Sequence, residues 1–150
     1  MRPKGVRLPD NWRVVLDEVF DPEAVAGVEV RESVWWLRPM PWIAAITGPG
    51  RIWLRGPAEQ FFADPGFVLH EYCHVLRQWA PGRLSVLRYL GESLRVGYWR
   101  NRFEVEAREF AAREAPRVAR LLASAEDRLA LVELARDPGE QHAERQADAG

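Results

Sequence analysis

The residues of this chain best equipped for chemistry are His70-Glu71-Tyr72-Cys73-His74, two histidines four apart with a glutamate directly after the first. Positions four apart share one face of a helix, so both imidazoles can reach a single Zn²⁺. Glu71, one step round, is placed to take a proton from a metal-bound water instead of binding the metal. The competing reading is two unrelated surface histidines on an ordinary amphipathic helix.

The element that must carry this motif is well marked. Asp64 is a helix N-cap, Pro65 suits the first helical position, and Pro81-Gly82 ends a helix that runs through about Trp79. With His70 at 0° and about 100° per residue, His74 falls near 40°, Gln78 near 80°, Glu71 near 100° and Arg77 near 340°. Val68, Leu69, Tyr72, Cys73, Val75, Leu76 and Trp79 fall between about 140° and 300°. One side is therefore expected to be packed and the other to present the histidines and Glu71, with Phe67 lining a pocket beside them. Cys73 sits on the packed side and reads as a small buried thiol, not a ligand.

Two histidines leave a catalytic zinc site incomplete, since a third protein ligand is needed with one position left open. His142 lies in a polar tail, and Arg77 and Ala80 stand where a longer motif would place a glycine and a third histidine. A carboxylate is then required. In the stretch Asn101 to Ala112, Glu104 is flanked on the helical wheel by Phe103, Ala107, Ala111 and Val105, whereas Glu106 and Glu109 fall on the side expected to face solvent. An ionised carboxylate among apolar neighbours is costly unless it is paired or bound to metal. Glu104 is the expected ligand, and Ala107 and Ala111 would let a second helix come close. Asn101-x-x-Glu104 also has the spacing of a capping box, and that reading competes with the first.

These elements together resemble the gluzincin side of the zinc metallopeptidases. His70-Glu-x-x-His74, followed thirty residues later by Glu104-x-Glu-Ala-x-x-Phe-Ala111, is similar to the short metallopeptidases related to ImmA/IrrE, to the M48 family and to the small bacterial domains known as DUF4157. The resemblance covers about Arg51 to Ala112. It implies a zincin-like fold, Zn²⁺ held by His70, His74 and Glu104, and Glu71 as general base in peptide-bond hydrolysis. It also implies that Arg51–Arg55 is the edge strand above the active helix, where an extended substrate would pair. Arg108 stands where those relatives often carry Asp or Asn. Tyr98, Tyr89, Arg95 and Arg77 are candidates for the donor that steadies a developing oxyanion, with Tyr98 preferred.

The rest of the chain must supply the scaffold. Its 150 residues suit one domain, expected over residues 1–136 with a polar flexible tail at 137–150. Residues 1–10 read as an irregular lead-in and 11–20 as a helix. Residues 28–30, 34–37, 43–47 and 51–54 read as strands, the last two joined as an antiparallel hairpin through Gly48-Pro49-Gly50. Helices follow at about 84–96, from 101 to just before Pro116, and over 117–136. A small antiparallel or mixed sheet followed by a helical half is an α+β order. Trp35, Trp36, Trp42 and Trp53 read as sheet core, with Trp35 and Trp36 pointing to opposite faces.

Composition narrows the partners. The 21 basic and 22 acidic residues nearly cancel, and the arginines form no run, which argues against nucleic acid or an anionic membrane. One cysteine, no signal-peptide pattern and no membrane-length apolar run make a reducing, cytoplasmic setting the expectation. Two rivals to a peptidase remain: a regulatory or interaction domain that holds zinc but hydrolyses little, and a metal-free helical interaction domain.

Overall fold

The computed structural model describes residues 4–136; the expected tail at 137–150, with His142, lies outside them. The fold is α+β, with a four-stranded mixed sheet preceding a mostly helical second half. In chain order the strands are β1 (Lys4–Val6), β2 (Glu29–Glu32), β3 (Ala45–Gly48) and β4 (Arg51–Leu54), arranged β1-β2-β4-β3 across the sheet. β1 runs antiparallel to β2, β2 parallel to β4, and β3 antiparallel to β4. The β3–β4 hairpin forms as its turn residues direct, with Gly48 opposite Arg51 and Gly50 at a φ of 66°. Alternation sends Val30, Ile52 and Leu54 into the core and leaves Trp53 on the outer face, where Trp36 meets it edge-on.

Helices α1 (Asp10–Asp17) and α2 (Pro22–Ala26) lie between β1 and β2, and α3 (Ala58–Phe62) leads from β4 into α4 (Pro65–Cys73), α5 (Val86–Val96) and α6 (Arg102–Arg136). α4 is the centre of the fold, and its broadest helix contact is with α6. Val68, Leu69, Tyr72 and Cys73 of α4 share one apolar cluster with Trp12 and Leu16 of α1, Ile52 and Leu54 of the sheet, and Ala107, Phe110 and Ala111 of α6. The two alanines of α6 are buried within this cluster. Phe67, partly buried, packs edge-on against Phe61 at the margin of this core.

Several elements differ from the sequence reading. The stretch read as an irregular lead-in contains β1, an edge strand paired with β2. The segment read as a strand at 34–37 is a 3₁₀ turn, Trp35–Leu37. Both edges of β2 are already occupied there by β1 and β4, and Ser33 turns the chain away at a φ of 52°. Val34 and Leu37, three apart, are then both fully buried, while Trp35 and Trp42 stay largely exposed and form no sheet core. The two helices expected on either side of Pro116 are one, α6. Proline removes one hydrogen bond and crowds the preceding turn. Phe110 and Ala111 before Pro116 and Val118 after it nevertheless belong to the same core, and that packing carries the helix through. Finally, Arg51–Leu54 is an interior strand between β2 and β3, so the sheet edge beside the site helix is β3.

Candidate metal centre

The Asp64 side chain accepts a hydrogen bond from the Phe67 amide and Pro65 opens the helix, so α4 starts where the sequence placed it. α4 carries His70 and Glu71, and from His74 the same rod continues as a wider π-wound turn through Trp79, with the Ala80 amide reaching back five residues to the Val75 carbonyl. The side expected to be open is in fact covered. Glu71, His74 and Gln78 are all buried, Gln78 completely, because α6 lies over them.

α6 brings Glu104 to the two histidines. The carboxylate oxygens lie 3.2 Å from His70 Nε2 and 3.5 Å from His74 Nε2, and the two Nε2 atoms are 3.0 Å apart. Of the described residues, these three offer the group of ligand atoms able to share one ion, all within 4.8 Å of one another. The capping-box alternative does not describe this carboxylate. Asn101 caps α6 by accepting from the Phe103 amide at 3.0 Å, whereas Glu104 accepts from the Tyr89 hydroxyl at 2.7 Å and faces the imidazoles. Glu106 instead makes a two-pronged pair with Arg83, both contacts 2.9 Å, and Glu109 is exposed.

Burial and charge act against each other here. Burial raises the Glu104 pKa, but the adjoining imidazoles of His70 and His74 outweigh it and hold the carboxyl well below its usual range. Burial lowers His74, but the Glu104 carboxylate overcomes this and raises it above the usual histidine value. For Glu71 burial outweighs the opposing charges of His74 and His70 and pushes its carboxyl upward. Cys73 is buried on the packed side as expected, and burial pushes its thiol up to about 12.

The donors fit zinc. Two imidazole nitrogens and a carboxylate oxygen are ligands zinc commonly takes. Bonds of about 2.05 Å in a tetrahedron give ligand–ligand edges of about 3.3 Å, which the observed 3.0, 3.2 and 3.5 Å bracket. Glu104 Oε2 is buried without a hydrogen-bond partner, so a buried acceptor in the cluster is left unsatisfied by protein groups.

Around these residues the candidates for an oxyanion donor separate. Tyr89 sits against Glu104, and Tyr98 is near enough that burial and the Glu104 charge push its hydroxyl up to about 12. Arg95 is paired with Glu92, and Arg77 stacks over Phe110 with 4.8 Å to the ring centre. Arg108 bonds the Trp99 carbonyl and stacks on its ring. The sequence reading gave Gln78 no role and Asn101 only that of a cap. Gln78 lies 2.7 Å from His74 Nδ1, and Asn101 ties α5 to the start of α6 by donating to the Tyr89 carbonyl and the Ser93 hydroxyl. A glutamine four residues beyond a presumed ligand, on the same helix face, was the signal available for the first. No family model, curated protein or solved structure matches this chain.

Proposed function

We propose that this chain is a zinc-dependent peptide hydrolase of zincin-like build, with His70, His74 and Glu104 as the metal ligands and Glu71 as the general base. The observation that carries this is the convergence of three buried or half-buried ligand atoms, from two helices, on one point beside a buried glutamate. Zinc bound there would lower the pKa of a water molecule and polarise a carbonyl. Glu71, made more basic by burial, would take the proton and return it to the leaving amine. Tyr89 would orient Glu104, and the hydroxyls of Tyr89 and Tyr98 are the nearby candidates for steadying negative charge on the substrate oxygen.

A peptide in extended form would add to the outer edge of β3, which lies against the site helix through a hydrogen bond from the Trp79 indole to Thr47 at 3.3 Å. The test is metal content of protein purified without a histidine tag, followed by a peptide-cleavage assay. Wild type is expected to hold one zinc and Glu104→Ala far less. Glu71→Gln is expected to keep its zinc and lose about 100-fold or more in rate. A Glu71→Gln protein that behaves as wild type would leave a zinc-binding domain without hydrolysis, and near-zero zinc in wild type would remove both metal readings.

A further inference from the structure

The completely buried Gln78 stands between His74 and α6, and its two ends have different partners. The amide nitrogen lies 2.9 Å from the Phe103 carbonyl oxygen, and the amide oxygen lies 2.7 Å from His74 Nδ1. A backbone carbonyl only accepts, so the NH₂ end must be the one facing Phe103. The oxygen is thereby committed to His74, and an oxygen needs a proton from the ring. Nδ1 must carry it. In the neutral imidazole this leaves Nε2 bare, and Nε2 is the atom directed at His70 and Glu104.

We infer that Gln78 is a positioning residue for the metal centre, holding His74 in the one tautomer that can ligate through Nε2. The inference rests on the metal reading given above and deepens it. The π-wound turn contributes, since it advances fewer degrees per residue than an α-helix and Gln78 no longer falls about 40° beyond His74. The same side chain reads the backbone next to Glu104, because Phe103 is its neighbour. One amide thus fixes the ring of one ligand and locks the site helix to the turn that carries another. His70 lacks this arrangement: among the described residues nothing hydrogen-bonds its Nδ1, and its side chain keeps 16% exposure against 6% for His74.

The first measurement is the ¹⁵N signature of the His74 ring in wild type, metal-free at alkaline pH where the ring is neutral. A protonated Nδ1 and bare Nε2 are expected; a protonated Nε2 overturns the inference. The second is zinc affinity by chelator competition. Gln78→Met keeps the volume but gives Nδ1 no oxygen, and zinc affinity is expected to fall about 10- to 100-fold. Gln78→Glu keeps an oxygen for Nδ1 and loses the donor to Phe103, and affinity within about threefold of wild type is expected. Equal affinity in wild type and Gln78→Met overturns the inference. So does an equal fall in both variants, which would assign the effect to the Phe103 contact. Should Gln78→Met fail to fold, the wild-type ring signature decides. A wild type that takes no zinc sinks the metal reading instead, and the ring signature still reports on Gln78 alone.

Discussion

α4 and α5 are neighbours along the chain and of similar length, yet they are built on opposite terms. In α4 Val68, Leu69, Glu71, Tyr72 and Cys73 are all buried, while α5 has no buried residue. Leu87 and Leu94 of α5 are more than four-fifths exposed, and Arg88, Glu92 and Arg95 fill its other flank. Both helices nevertheless deliver a group to Glu104, His70 from α4 and Tyr89 from α5. α4 holds its residue by apolar packing on several sides. α5 is held largely through polar ties, from Tyr89 to Glu104 and from Asn101 to Tyr89 and Ser93. A functional group can therefore be positioned either by the core or by a few directed hydrogen bonds, and the second arrangement leaves the helix free of the cost of being core.

Substitutions should expose this difference. Leu69→Ala, in the middle of the cluster, is expected to cost about 2–5 kcal/mol, read as a lower midpoint in urea with an unchanged slope. Tyr89→Phe removes a hydrogen bond to an ionised carboxylate at a half-exposed position and is expected to cost about 1.5 kcal/mol. Its effect should show in thermal unfolding of the metal-free protein, with the helical circular dichroism unchanged. Leu94→Ala, at 88% exposure, should stay within about 0.5 kcal/mol of wild type. A loss at Leu94 as large as that at Leu69 would break the contrast, because it would mean that the apolar flank of α5 is covered in solution.

How much of this was legible depended on whether the deciding interaction is local. The start of α4 is written in Asp64 and Pro65, the β3–β4 hairpin in its glycine-proline-glycine turn, and the relation of His70, Glu71 and His74 in helical periodicity. The side of α6 that carries Glu104 could be read from the residues around it. Strand order could not, because β2 pairs with β4 across a long connection that leaves no local trace, so nothing local stood against the edge position that the resemblance implied for Arg51–Arg55. Trp35 and Trp36 are strong strand formers by type, yet the burial of Val34 and Leu37 decided the conformation. Pro116 carried a correct local signal that packing overrode. Gln78 was read as polar and so as outward, since periodicity shows that a second side exists but not that another helix covers it.

The buried alanines at 107 and 111 would have a consequence for any ion held by His70, His74 and Glu104. Ala107 is one turn beyond Glu104, so the girth of these side chains helps set the gap between the rod holding the imidazoles and the rod holding the carboxylate. A bulkier residue at either place would wedge the two rods apart and draw the oxygen away from the nitrogens. The reach available to such a cation would thus be regulated partly by two methyl groups that never touch it.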